Sequence, residues 1–458
     1  MATGAPEQGG PVRLFNFRSD LFATTICFFL VGVIKLVSSV VLTRILYPEA
    51  YGIVILLSSV VFALEMLSDI GVTGFVIRDK NGGQRTYIDT IWTLRLIRCG
   101  ANAVLLFAAA PYIAQFYDSP ALTGALRVFS AWFVLQGLES LSFPLAIRDR
   151  RARIPSYADL VCTLLSTVFA VAYSYVERDH FGMVYGMVFH RMLMSALSYR
   201  ISPYLRPRFR FSAEVAKHLF GFSKFVFPSS LISLVLAQFD KVVFLKLFDL
   251  HLLGLYGIAA NIALPVDTLT AQISRHVLLA RCSDIFRTDP NSLRIRYYRD
   301  NIKLFMLVLL TPAVLAGSSK FLVDLLYDDR YAFAAVILQA FMLRSILLSL
   351  SGPAENLLVA AGGGRVVLAG NLFRLAFLPG GALLGYFLGG FEGFILGVVL
   401  SEAPALGYFL WQQKKQELLI VHYELLKLLF IAGIFAISFA ISTHLSGLAV
   451  AFRHHVHP

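Results

Sequence analysis

Apolar stretches of about 20 residues alternate with short polar segments along almost the whole chain. A helix that crosses the ~30 Å hydrocarbon core of a bilayer needs about 20 mostly apolar residues. The pattern therefore predicts about thirteen transmembrane helices. Their approximate bounds are 21–43, 51–74, 88–114, 121–147, 155–176, 181–199, 222–248, 254–274, 303–326, 333–361, 366–388, 393–411 and 425–445.

The basic residues between these spans fall almost entirely in alternate gaps. The fourth gap, for example, holds Arg148, Arg150, Arg151 and Arg153, and the gap at 275–300 holds six arginines. Loops rich in Lys and Arg stay on the cytoplasmic side of a membrane. The sequence therefore predicts a multi-pass membrane protein with a cytoplasmic N-terminus and, because the span count is odd, a C-terminus on the other side.

Composition agrees with a membrane protein. Of 458 residues, 57% are hydrophobic and 15% are charged, against roughly 25% charged in a typical soluble domain. The net charge of +12 is typical of nucleic-acid binding too, but here the basic residues lie in short loops beside the spans. There they set topology and contact anionic lipids, so we expect membrane lipids as partners and no nucleic acid.

The gaps between spans are too short for a soluble catalytic domain. The sequence has no GxxxxGK[ST], GxSxG or HExxH motif, and its four cysteines are scattered. We therefore predict no catalytic residues, no metal site and no cofactor. Transport is the class of function that remains.

A short repeat divides the chain into two halves. Tyr51-Gly52-Ile53 recurs as Tyr256-Gly257-Ile258, 205 residues and six spans later. The same shift places Lys35 opposite Asp240, next to Lys241. Because six is even, both halves have the same orientation and are related by an axis along the membrane normal.

The predicted fold is an all-α membrane protein with two six-helix lobes around a central cavity. The predicted segments are a cytoplasmic N-terminal segment at 1–20, an N-lobe at 21–205, a C-lobe at 206–413, and an extra helix and tail at 414–458.

Charged residues also occur well inside the predicted spans. They are Lys35, Glu65, Arg95, Glu139, Arg191, Asp240, Lys241, Asp267, Arg344, Glu355, Arg374 and Glu402. Each costs roughly 2.5–3.5 kcal/mol at a lipid-facing helix centre. Most must therefore face a hydrated cavity or pair with one another, and ion pairing that only fixes helix packing is the alternative.

A cavity with several cations suits an anionic substrate that carries a phosphate or pyrophosphate. The candidate substrate contacts are Lys35, Arg44, Arg191, Asp240, Lys241 and Arg344. For Arg44, at the end of the first span, an interfacial anchor is the alternative. For the carboxylates Glu65, Asp69 and Asp267 two roles stay open, namely charge pairing and coupling to a proton or sodium gradient.

Several short motifs occur in an order that resembles one family. Leu42-Thr-Arg44-Ile-Leu46-Tyr-Pro48-Glu49-Ala-Tyr51-Gly52 is similar to the motif that closes the first helix of polysaccharide-type flippases. Asp69-Ile-Gly71, Leu145-Ala-Ile-Arg148 and Gln238-Phe-Asp240-Lys241 resemble later motifs of these proteins. They belong to the multidrug/oligosaccharidyl-lipid/polysaccharide exporter superfamily.

The resemblance implies a bacterial inner-membrane flippase. It would move polyprenyl-pyrophosphate-linked oligosaccharides outward by alternating access, with polysaccharide polymerases and glycosyltransferases as partners. Two alternatives stay open: a cation-coupled drug or small-solute exporter of the same superfamily, and a membrane glycan polymerase or ligase. The first predicts an acidic, aromatic pocket, and the second predicts a large outer loop.

Overall fold

The computed structural model describes residues 17–201 and 206–456, and seventeen α-helices make up most of this part of the chain. They are α1 (Phe17–Ile45), α2 (Pro48–Leu67), α3 (Val72–Arg78), α4 (Arg85–Phe116), α5 (Ala121–Leu138), α6 (Ser142–Arg148), α7 (Arg153–Glu177), α8 (Phe181–Ile201), α9 (Ala213–Leu247), α10 (Leu250–Ile273), α11 (Leu279–Thr288), α12 (Leu293–Arg299), α13 (Ile302–Leu326), α14 (Ala334–Ala360), α15 (Gly364–Leu400), α16 (Ala403–Lys415) and α17 (Val421–Val456).

The all-α membrane fold is confirmed. Within the described residues, ten helical stretches are long and apolar enough to cross a bilayer. One of them, 365–415, contains two predicted spans, and Gly389 and Gly390 leave the helical conformation between them. Helices lie at all thirteen predicted positions, but the number of spans stays a prediction. Most of the predicted 1–20 segment lies outside the described residues.

Three predicted spans are interrupted rather than continuous. The breaks lie at 68–71, 139–141 and 401–402. Hydropathy passes over them because their neighbours are apolar, whereas Gly71 in a left-handed conformation and Pro404 in the first turn of α16 interrupt the helices locally. Each break carries one acidic residue. Non-helical backbone inside a membrane protein is tolerated where it lies within protein or lines a cavity.

The helices pack in two groups that meet along α2. In the first half, α7 packs on α1 and α8, and α5 on α4 and α8; in the second half, α14 packs on α10, α13, α15 and α16. Helix α2 packs on α10 and α9 of the second half, and α17 packs on α13. The symmetry axis predicted between the halves, and their bounds at 205 and 413, stay predictions.

Two glycines allow α2 and α10 to touch backbone to backbone. A Cβ on Gly52 would lie 2.2 Å from the carbonyl oxygen of Leu250, and one on Gly254 would lie 1.9 Å from that of Pro48. Both distances are far below van der Waals contact, so only glycine fits. The contact is reciprocal, because each helix offers its glycine to the first residue of the other.

This contact changes the register inferred from the sequence. Helices α1 and α9 end at Ile45 and Leu247, and α2 and α10 begin at Pro48 and Leu250, so the equivalent positions differ by 202 residues. The tripeptide match gave 205 because it paired Gly52 with Gly257. A Cβ on Gly257 would meet the side chain of Ile55, whereas one on Gly254 meets backbone, as one on Gly52 does. Lys35 is therefore not equivalent to Asp240.

The segment before α9 is fastened to the first half. The backbone N–H of Arg208 donates to Asp89 of α4 at 3.0 Å, and that of Arg210 donates to Thr93 at 3.2 Å. The ring of Phe209 meets Trp92 edge-on, with centroids 5.2 Å apart. Residues 206–210, assigned to the C-lobe from the sequence, therefore lie against α4.

The start of α17 is fixed by a buried lysine. Lys427 is 3% exposed and lies 4.3 Å from the ring centroid of Phe305 and 5.2 Å from that of Tyr298. Its ammonium pairs with Glu424 at 2.8 Å, and the Tyr298 hydroxyl donates to the same carboxylate at 3.0 Å. These contacts join α17 to the loop helix α12 and to α13.

Candidate functional site

A polar cluster in the first half surrounds the break between α5 and α6. We call Arg95, Glu139, Asp159, His190 and Arg191 the first-half cluster. Arg191 pairs with Glu139 at 3.0 Å and lies over the ring of Trp132 at 4.5 Å. His190 and Asp159 are 3.2 Å apart. Because Glu139 ends α5 instead of continuing the helix, its carboxylate is available to α8.

Arg95 is the most buried member of this cluster. It is 7% exposed, and its charge is attracted by Glu139. Within the described residues, its Nε and Nη2 have no hydrogen-bond partner, and neither has the Nε of Arg191. Unfilled donors on buried guanidinium groups are costly, so this cluster can accept water or an anionic oxygen.

A second cluster surrounds the break between α15 and α16. We call Arg344, Glu355, Arg374 and Glu402 the second-half cluster. The guanidinium of Arg374 donates to both oxygens of Glu402, with Nη2–Oε1 at 2.8 Å and Nε–Oε2 at 3.0 Å, and to Glu355 at 3.1 Å. Such bidentate pairs are among the strongest hydrogen bonds in proteins.

Arg344, Arg374 and Glu402 line a cavity of about 180 Å³ between α9, α14 and α15. One ordered water needs only ~10–15 Å³ of such volume, so the cavity can hold several waters or a small anionic group. Arg374 is paired with two carboxylates, whereas Arg344 has no hydrogen bond or ion pair among the described residues. Arg344 is therefore the cation of this cavity whose donors stay open to a ligand, although the four charges of the cluster sum to zero.

The structure pairs Asp240 with Lys241 and gives Lys35 different neighbours. Lys35 is exposed on α1, and its charge acts on Asp159 of α7. Asp240 is 7% exposed and accepts a hydrogen bond from Tyr256 of α10. Lys241 lies 3.5 Å from Asp240 and donates to the carbonyl of Ala237 in its own helix. No ion pair joins Lys35 to either residue in the described chain.

The remaining predicted residues lie in different neighbourhoods. Arg44 pairs with Asp328, which follows α13, at 3.2 Å. Asp69 accepts from Ser230 of α9 at 3.0 Å and from its own loop at Gly71. Glu65 accepts from Gln136 of α5, and Asp267 accepts from Ser345 of α14. Hydrogen bonding is what the structure shows for the three carboxylates, and ion coupling stays a prediction.

The sequence-based site omitted several residues that the structure brings together. Arg95, Glu139, Glu355, Arg374 and Glu402 are all intramembrane charges, so their signal was present in the sequence. Asp159 and His190 gave a weaker signal, because Asp159 lies near the start of its span and a lone histidine on an apolar helix is common. Their pairing depends on how α7 packs against α8.

Comparison with known proteins places the chain in a family. Residues 41–336 match the family model described as "Polysaccharide biosynthesis protein". The succinoglycan biosynthesis transport protein ExoT of Rhizobium meliloti (strain 1021) is 25% identical over 50% of this chain, and the aligned region is 46% of ExoT's own length. The lipopolysaccharide biosynthesis protein WzxC of Escherichia coli (strain K12) is 22% identical over 82% of this chain and 76% of WzxC.

Solved structures show the same fold. The lipid II flippase MurJ, in an inward closed conformation, matches 95% of this chain and 99% of its own with a TM-score of 0.71 at 13% identity. An inward-facing multidrug resistance MATE transporter matches 87% of this chain and 98% of its own with a TM-score of 0.66 at 14% identity. The resemblance to a polysaccharide-type family that the sequence motifs indicated is confirmed. The chain belongs to the polysaccharide biosynthesis protein family of multi-pass membrane proteins.

Proposed function

We propose that this protein moves a lipid-linked oligosaccharide across the bacterial cytoplasmic membrane by alternating access, for assembly of a surface polysaccharide. The names of its relatives connect them with succinoglycan and lipopolysaccharide, and MurJ is named for lipid II. The loop charges support a cytoplasmic N-terminus. Glycosyltransferases that build the oligosaccharide and a polymerase that extends it are the expected partners.

The observation that supports an anionic cargo is the presence, within the predicted spans, of two cations that have no partner among the described residues. Lys35 and Arg344 lie in different halves, and neither has a hydrogen bond or ion pair among the described residues. An unpaired charge inside a membrane protein is stable only when it faces water or a ligand. We infer that these two cations meet the pyrophosphate of the cargo, together with Arg191 of the first-half cluster.

Carboxylates near these two cations support coupling to an ion gradient. Asp267 lies beside Ser345 one residue from Arg344, and Asp159 lies within electrostatic reach of Lys35. A proton or sodium ion on such a carboxylate would change the net charge that the cargo meets. Asp240, bound to Tyr256 and Lys241, is assigned to packing of α9 on α10 instead.

The test is complementation of a strain that lacks this gene, scored for polysaccharide at the cell surface and for protein level in the membrane. We expect Lys35→Gln and Arg344→Gln each to reduce export at normal protein level, because a hydrated site tolerates a polar replacement. Lys320→Gln is the matched control, since Lys320 is exposed and pairs only within its helix, with Asp324. Full export by the Lys35→Gln/Arg344→Gln double variant would contradict the proposed site.

A further inference from the structure

The loops that follow α4 and α13 each bind the first helix of the opposite half through an ion pair and hydrogen bonds, and we call each set of contacts a grip. Both loops contain Tyr-Asp, as Tyr117-Asp118 and as Tyr327-Asp328. Asp328 pairs with Arg44 at the end of α1 at 3.2 Å, and Asp118 pairs with Lys246 at the end of α9 at 3.4 Å. Arg44 and Lys246 are 202 residues apart, which is the register set by the helix ends.

The tyrosines of the two loops also form hydrogen bonds with the first helix of the opposite half. Tyr327 meets the hydroxyl of Ser39 in α1 at 3.3 Å, and Tyr117 donates to the carbonyl of Val242 in α9 at 3.4 Å. Ser39 and Val242 lie about one helical turn before Arg44 and Lys246, respectively. Two loops at equivalent positions thus hold two helices at equivalent positions, each across the boundary between the halves.

The two grips differ in strength. On α1, Arg330 adds a hydrogen bond to the carbonyl of Thr43 at 3.1 Å, and Tyr331 adds one to that of Leu46 at 2.8 Å. On α9, Lys246 also donates to the carbonyl of Phe116 at 2.8 Å, but its partner Asp118 is 87% exposed. Exposed pairs contribute little because water competes for them, so the grip on α1 is the stronger one.

We propose that these loops are a pair of latches that close the outer end of the boundary between the halves, and that both open in each transport cycle. The 327–331 latch holds α1 and the 116–118 latch holds α9. Their outward placement rests on the topology given under the proposed function. Between them, the contact of Gly52 with Leu250 and of Gly254 with Pro48 seals α2 against α10. Arg44 was predicted as a substrate contact. In this proposal it is instead the residue of α1 that pairs with Asp328 of the 327–331 latch.

Opening can be measured with a reporter cysteine beneath the seal. Ile55 lies one turn below Gly52, with its side chain against Gly257 of α10. In a protein whose four natural cysteines are replaced by serine, we expect Ile55→Cys to react faster with a membrane-impermeant maleimide on intact cells when α2 and α10 separate. Glu177→Cys, at the end of α7, reports whether this side faces outward.

We expect Asp328→Asn and Lys246→Gln to raise the labelling rate of the Ile55→Cys reporter up to about fivefold, with the larger rise for Asp328→Asn. The exchanged pair Lys246→Asp/Asp118→Lys should restore part of the slow rate, because it rebuilds the ion pair but not the hydrogen bond that Lys246 donates to the carbonyl of Phe116. Lys320→Gln, in a pair within one helix at the same end of the molecule, should leave it unchanged.

Unchanged labelling in both single variants and in their combination would overturn the proposal. So would an unreactive Glu177→Cys, because the latches would then not face outward. The labelling rate reports opening whatever the cargo is. Loss of surface polysaccharide without a change in labelling would therefore overturn the latches and leave the proposed function standing. A labelling response in a protein that does not restore surface polysaccharide would support the latches and contradict the proposed function.

Discussion

Glu49 and His251 occupy equivalent positions in the two halves and face each other where α2 meets α10, with Oε1 and Nδ1 2.9 Å apart. Their side chains are 50% and 42% exposed, so the pair contributes less than about 1 kcal/mol. The backbone contact beside it is buried and therefore decides how tightly the helices meet.

We accordingly expect Gly52→Val to destabilise the protein far more than His251→Gln. The new side chain would collide with the carbonyl of Leu250, at a cost of about 1–3 kcal/mol, as for other overpacked sites. Thermal unfolding of the detergent-purified variants measures the difference. Gly32→Val is the control, since a Cβ there meets nothing within 4 Å; equal melting temperatures for Gly52→Val and Gly32→Val would contradict the contact.

Neutralising Glu402 should destabilise the second half strongly. Glu402→Gln leaves Arg374 with only Glu355 as a charged partner, in a place where the Glu402 side chain is 4% exposed. Removing one partner of a buried ion pair costs about 3–5 kcal/mol. Glu392→Gln, at an exposed position of α15, provides the comparison in the same thermal assay. A melting temperature like that of Glu392→Gln would mean that the pair is dispensable.

Replacing Lys427 tests the attachment of α17. Burial, with the Glu424 carboxylate nearby, raises the pKa of the Tyr298 phenol, so it stays protonated and donates to Glu424. Lys427→Met removes the cation from the rings of Tyr298 and Phe305, at a cost of about 2 kcal/mol or more for a desolvated contact. Limited proteolysis should then release α17 earlier than in Lys415→Met, whose lysine is exposed. Identical cleavage of the two variants would show that α17 is held by other contacts.

The natural cysteines should not react with maleimide in the folded protein. All four are buried, and burial raises the pKa of the Cys282 thiol to about 12. The thiol of the unfolded chain has a pKa near 9. Keeping the buried thiol neutral therefore contributes to the free energy of unfolding in full below pH 9, and this contribution is lost as the pH rises toward 12. We expect maleimide labelling at pH 8 to appear only with denaturant. Labelling of Cys282 in the native state would contradict its burial.

Hydropathy and loop charge predicted the helices because both are set by the membrane itself. The breaks in three spans escaped this reasoning, since Glu139 and Glu402 lie among apolar neighbours and a window average passes over them. The partners of charged residues escaped it too. Which carboxylate meets Arg374 or Arg191 depends on helix rotation, and the true register between the halves depends on the close approach of Gly52 and Gly254, which a tripeptide match does not reveal.

The fastening of residues 206–210 to α4 has a mechanical consequence. The hydrogen bonds of Arg208 and Arg210 hold the chain to the first half up to the start of α9, so we expect a rotation of the second half to turn α9 about that end, near Ser212. Helix α9 has 35 residues and is therefore roughly 50 Å long. A rotation of about 10° at that pivot displaces its far end by roughly 9 Å. That end carries Lys246, so a small turn at the start of α9 becomes a large displacement at the 116–118 latch.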